Sequence, residues 1–127
     1  MQDKYGIYAV ACGYDPWHMR DVPTVEAYED YFGADNLQKV IQGAQTLSMP
    51  MKELRALYKE GRIVDNANPI AEWCRSNVAI RTDVNGNIQP DKKNQDPRNR
   101  IDAWAAECDA FIAMKNIADD YRAMIGG

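Results

Sequence analysis

Eight consecutive residues near the start, Tyr5-Gly-Ile-Tyr-Ala-Val-Ala-Cys12, are apolar on both alternating faces. A strand that shows an apolar residue at every step must be covered on both sides, as in the centre of an α/β sheet. The run stops at Gly13-Tyr14-Asp15-Pro16. Pro16 carries no amide hydrogen for a ladder and biases Asp15 towards extended backbone. Thr24 then predicts a helix cap, with Val25, Tyr28 and Phe32 on one face and Gly33 as the stop. Leu37 to Ile41 reads as a second short strand. Strand, helix, strand in that order predicts a parallel βαβ unit.

The remainder reads as helices around a hairpin. Ser48 predicts the cap of a helix that turns Met51, Leu54, Leu57 and Tyr58 inward and closes at Gly61. Asn68-Pro69 is a helix start, and Ile70, Trp73 and Cys74 supply its apolar face. Val78 to Thr82 and Asn87 to Gln89 flank Asn85-Gly86, a hairpin signal. Pro97 opens a long helix reaching about Ile125, with Ile101, Trp104, Ala105, Cys108, Phe111, Ile112 and Met114 on its buried side.

At 127 residues this pattern fits one domain, residues 1–127. No apolar run reaches the roughly 18–20 residues of a membrane span, so no membrane partner is expected. Cys12, Cys74 and Cys108 lie far apart among apolar residues, which suits buried thiols better than a disulfide or zinc framework. His18 is the only histidine, which excludes a His-based zinc site and supports no Cys-His pair. A net charge of −4 argues against a surface that grips DNA all round, but not against a locally acidic site that cuts it.

Six short motifs follow one another in order: Gly13-Tyr14-Asp15-Pro16-Trp17; Val40-Ile41-Gln42-Gly43; Leu47 through Leu54; Asn68-Pro69 with Trp73 and Asn77; Asp83 to Asn87 with Pro90-Asp91-Lys92; and Ile101-Asp102-Ala103. In that order they resemble the C-terminal part of the nuclease domain of terminase large subunits from tailed bacteriophages. The resemblance implies a partial ribonuclease H-like α/β fold: a short parallel βαβ core, a β-hairpin and a long C-terminal helix. It also implies a hydrolase that cuts duplex DNA with Mg²⁺ or Mn²⁺ in the cytoplasm of the bacterial host. Its expected partners are the rest of the large subunit with its ATPase domain, the small terminase subunit and the portal.

Within that resemblance, Asp15 at a strand end and Asp102 at a helix start are the expected metal ligands and catalytic carboxylates. Hard cations that activate water and stabilise a leaving oxygen require such oxygen donors. An Asp-Pro turn is the structural alternative for Asp15. For Asp102 the alternatives are the third helical position after an Asn99 cap, or a site inside the helix if Asp96 caps it and Pro97 follows. Although 87 positions separate them, Asp15 and Asp102 are expected to face one cleft, with repelling carboxylates and a raised pKa.

Asp109 is a possible outer ligand, with a solvated or salt-bridged carboxylate as the plainer reading. Asp65, where many relatives carry histidine, is a second outer position. Lys92, Lys93, Arg98 and Arg100 are candidate phosphate contacts, or simply a solvated charged loop. The family's first catalytic aspartate lies on a strand that would precede Met1, so the first strands and the ATPase domain are expected to be absent here. The chain is then expected to be inactive alone, with an open sheet edge available for self-association. The competing readings are a non-catalytic interaction domain or prophage remnant and, more weakly, a recombinase or resolvase. Asn68-Pro69-x-x-x-Trp73 and Asn85-Gly86 argue against the last.

Overall fold

The structure is a computed structural model that describes residues 2–17, Met19 and residues 22–126. His18 lies outside the described residues. The elements are α1 (Gln2–Tyr5), β1 (Cys12–Tyr14), α2 (Val22–Phe32), β2 (Leu37–Lys39), α3 (Ala44–Lys59), α4 (Pro69–Ser76), β3 (Val78–Thr82), β4 (Ile88–Lys92) and α5 (Asp102–Gly126).

β1 and β2 pair in parallel, Cys12 with Leu37 and Tyr14 with Lys39, and α2 forms the crossover. The ladder runs one bond further, from the Val40 amide to the Tyr14 carbonyl at 2.8 Å. The expected βαβ unit is present, but its first strand is much shorter than residues 5–12. A strand exists only where a neighbour takes its backbone bonds. Among the described residues β1 has a neighbour only at 12–14. Residues 6–11 carry no regular structure, and Tyr5, Ile7 and Tyr8 are all more than half exposed. The segment is an uncovered edge rather than a sheet centre.

Two helix starts also differ from expectation. α2 begins at Val22, with Pro23 in its first turn, so Thr24 lies inside it. It ends where Gly33, at φ 85°, donates its amide to the Glu29 carbonyl. α3 begins at Ala44, a turn before Ser48. Ser48 is buried, and its Oγ accepts the Ile88 amide at 3.0 Å, so it ties α3 to β4 instead of capping. Pro50 lies inside the helix, where its missing N–H forfeits one helical bond. At the other end Gly61 donates to Tyr58 and Arg62 to the Leu57 carbonyl, the paired bonds of a Schellman stop.

α4 starts as the sequence predicts: the Asn68 Oδ1 accepts the amides of Ile70 and Ala71. Its apolar face is only partly used, because the helix packs chiefly on α5. Cys74 is buried, while Ile70 and Trp73 remain exposed. β3 and β4 are antiparallel, Thr82 opposite Ile88. The link is longer than a two-residue turn. Asp83 and Asn87 still pair, Gly86 adopts φ 78°, and the Asp83 carboxylate takes the amides of Asn85 and Asn87.

α5 begins at Asp102, not at Pro97. Residues 96–99 form a turn instead: the Asn99 amide bonds the Asp96 carbonyl, and the Asp96 carboxylate takes the Arg98 amide. Neither Asp96 nor Asn99 is the cap; the first helical bond runs from Ala105 to the Ile101 carbonyl. Asn77, buried at the end of α4, anchors this loop: its carbonyl accepts from Lys93, and its side chain donates to the Arg100 carbonyl.

The core lies between α3, α5 and the hairpin: Val40, Leu47, Met51, Leu54, Trp104 and Cys108 form one buried cluster. Burying each such side chain contributes roughly 1.5–3 kcal/mol. α5 also crosses β1, and Gln38 fastens β2 to it by donating to the Ala113 carbonyl and accepting from Asn116.

Candidate functional site

Asp15 follows β1 directly, at the carboxyl end of the strand, where α/β sheets place their sites. Its Oδ1 accepts the Trp17 amide at 2.8 Å, so the Asp-Pro turn is formed. The residue is half-buried, and its charge acts on a second carboxylate. That second group is Asp109 on α5, only 6% exposed. Its pKa is raised, first by burial and also by the charge of Asp15, against a lowering by the Gln42 hydrogen bond. The Gln42 amide bridges the Val40 carbonyl and the Asp109 Oδ1, at 3.1 and 3.0 Å.

Asp109 is therefore not in solvent. It is held because α5 presses its backbone against Gly13: a Cβ built there would lie 2.2 Å from the Asp109 carbonyl oxygen. The Asp109 carboxylate there accepts from Gln42 and feels the charge of Asp15. The signal in the sequence is the place of Asp109 next to Cys108 on a helix with a broad apolar side, where a carboxylate needs a partner.

Asp102 is the first residue of α5 and is exposed. An anion in a first helical turn is favoured by the helix dipole. Seven residues separate it from Asp109, which puts both on nearly the same side of the helix, about 10 Å apart along its axis. Asp65 lies elsewhere. Its Oδ1 accepts the Ala67 amide, and its Oδ2 pairs with Arg75 at 2.8 Å. Arg75 also reaches Glu107 at 3.5 Å, and Glu107 in turn accepts from the Tyr58 hydroxyl.

The basic loop is partly self-engaged. Arg98 grips Asp96 through two nitrogens, whereas Lys93 and Arg100 are exposed and Lys92 is half-buried. Among the described residues no three His, Cys, Asp or Glu side chains converge as a complete metal cage. The two carboxylates linked here, Asp15 and Asp109, offer only oxygen donors, the type that hard divalent cations take. Among the described residues no helix is long and apolar enough to cross a membrane.

Comparison with known proteins gives the family. Residues 3–117 match the family model for the terminase large subunit, endonuclease domain. Protein YmfN of Escherichia coli strain K12 is 35% identical over 98 residues, covering 66% of this chain and 21% of that protein. The fold is similar to the crystal structure of the HK97 bacteriophage large terminase, with a TM-score of 0.60 and 20% identity over 79% of this chain and 20% of the other. The chain thus spans about a fifth of the length of the relatives it matches. The family model covers most of the chain: the chain belongs to the terminase large subunit endonuclease domain family.

Proposed function

We propose that this chain is part of the metal-dependent endonuclease domain of a phage DNA-packaging terminase, and that it cuts duplex DNA only as part of a larger protein. The observation that carries the proposal is the approach of Asp109 to Asp15 at the carboxyl end of β1. The fold is read as ribonuclease H-like, with α5 crossing the sheet as that architecture requires. Asp15 and Asp102 would hold Mg²⁺ or Mn²⁺, and Asp109 would support Asp15 from behind. A pair of such ions, when bound, would activate a water and stabilise the leaving oxygen of the phosphodiester. Gln42 holds Asp109 by one oxygen and so fixes the direction in which the other carboxylate oxygen points. Lys92, Lys93 and Arg100 would neutralise phosphates of the approaching strand. Asp65, paired with Arg75, would act at most from the outside.

Asp15 and Asp102 are too few for two ions, so the remaining ligand is assigned to another part of the large subunit. Its ATPase domain, the small subunit and the portal are the expected partners, in the host cytoplasm. Titration of the purified chain with Mn²⁺, followed by calorimetry, tests the site. Asp15→Asn and Asp102→Asn should each weaken binding roughly tenfold or more while the domain stays folded, and plasmid DNA should be nicked little or not at all. Mn²⁺ affinity untouched by both substitutions would end the metal-site reading.

A second reading, a non-catalytic docking domain, is favoured by the exposed apolar surface at residues 5–10. Robust Mn²⁺-dependent nicking that disappears in Asp102→Ala would exclude it, and would also show that two carboxylates suffice.

A further inference from the structure

α3 starts beside the carboxylate pair, since Gln42, which bonds Asp109, lies two residues before Ala44. From there it carries three cations away. Lys52, Arg55 and Lys59 recur at steps of three and four and so share one helical face, spanning about 10 Å. Lys52 reaches across to the Gly86 carbonyl at 3.3 Å, which turns this face towards the hairpin. A groove of about 410 Å³ lies between the two, with Ile80, Thr82 and Ile88 along its hairpin wall.

The cations on this face are not paired directly, although Lys52 acts on the Asp83 carboxylate of the hairpin turn. Among the described residues none of the three cations makes an ion pair within 4 Å. The single carboxylate of α3, Glu53, turns the other way and pairs with Lys115 on α5. In a chain of net charge −4, such a row attracts a polyanion locally where the molecule as a whole does not.

We propose that the Lys52–Arg55–Lys59 row is a phosphate-backbone track, holding duplex DNA along α3 and leading it away from the Asp15–Asp109 end. The choice of DNA as the polyanion rests on the terminase reading. It is also favoured by shape: a straight row of evenly stepped cations matches a line of phosphates, and the apolar hairpin wall suits the sugar faces between them. This track is separate from the Lys92–Arg100 loop, which lies on the other end of β4 from the Gly86 turn.

The test is fluorescence anisotropy of a labelled mixed-sequence duplex with the full chain, between about 50 and 200 mM salt. A Lys52→Gln/Arg55→Gln/Lys59→Gln triple variant is compared with Lys4→Gln/Arg62→Gln/Arg122→Gln, which changes net charge equally. We expect the first to lower affinity roughly tenfold or more and to reduce the log–log salt slope by about 2–3, and the second to change both little. Arg55→Gln alone should lose about one unit of slope, which keeps the test valid if the triple variant fails to fold.

Equal losses in both triple variants would overturn the track, as would wild-type chain that binds no duplex at the lowest salt. Loss of polyglutamate binding without loss of duplex binding would assign the row to an acidic protein surface instead. Mn²⁺ titration of the same variants keeps the two proposals apart. Unchanged Mn²⁺ binding beside lost DNA binding supports the track, whereas a wild type without Mn²⁺ affinity sinks the nuclease site and leaves the anisotropy to judge the row.

Discussion

Gly13 and Asp109 touch through their backbones: the hydrogen face of Gly13 lies against the Asp109 carbonyl, with no room for a methyl group between them. This one contact sets the depth at which α5 crosses β1, and so fixes where the Asp109 carboxylate sits relative to Asp15. A Cβ at Gly13 would meet Asp109 carbonyl atoms at 2.2 and 2.7 Å and the Ala113 methyl at 3.3 Å. Neither helix backbone nor strand can give that much locally. Gly13→Ala should therefore cost about 1–3 kcal/mol or more in stability, read by urea denaturation. It should also weaken Mn²⁺ binding by moving the carboxylates apart. A variant as stable as the parent would mean that α5 is not seated as described.

Asp109 should destabilise the domain at neutral pH. Its folded pKa is raised by burial and by Asp15, so the unfolded chain gives up that proton at lower pH than the folded one. The stabilising contribution is complete below the ordinary carboxylate pKa and is lost as pH rises through the raised value. Asp109→Asn keeps an oxygen for Gln42 and removes the charge. It should melt higher than the parent at pH 7, and the two should converge as pH falls below the usual aspartate range. Adding Mn²⁺ should narrow the gap at pH 7 by stabilising the parent. A lower melting temperature for the variant at pH 7 would show that the charged carboxylate is satisfied in a way this geometry does not contain.

Tyr58 links α3 to α5 by donating to Glu107, and burial together with that bond pushes its pKa up to about 12. Tyr58→Phe should cost about 1–2 kcal/mol, the scale of one hydrogen bond to a charged group. Here the linkage runs the same way. The contribution is whole below the phenol's ordinary pKa near 10 and is lost towards 12. The parent's advantage should therefore shrink over that range in thermal melts. An advantage that stays constant up to pH 12 would locate the effect in packing rather than in the hydroxyl.

Residues 9–13 and the outer half of α5 border an open, mainly apolar groove of about 670 Å³, lined in part by Val10, Met114, Ile117 and Tyr121. Together with the unpaired edge at residues 6–11, this surface should drive self-association as concentration rises. Sedimentation velocity should show it, and Val10→Lys, which places a charge on the edge, should return the chain to a monomer. A parent that stays monomeric throughout would show that this edge needs no partner.

Local signals reached far into this fold. Asn68-Pro69 placed the start of α4, Gly33 and Gly61 placed two helix ends, and Asn85-Gly86 placed the hairpin, because each acts within a few residues through backbone geometry. The parallel pairing of β1 with β2 followed from the order of elements alone. The motifs at Asp15 and Asp102 pointed to the family, which the match over residues 3–117 shows. What the sequence could not decide was which apolar and acidic residues would be covered. Residues 5–12 read as a central strand, yet before Cys12 coverage depends on a neighbour that the described residues do not supply. Ser48 looked like a cap until the Ile88 amide, forty positions away, claimed its hydroxyl. Asp109 looked like a surface carboxylate until Gly13 let α5 approach closely enough to bury it beside Asp15. Caps and turns are local and can be read along the chain; burial and charge coupling are properties of contacts between distant segments, and only the packed structure creates them.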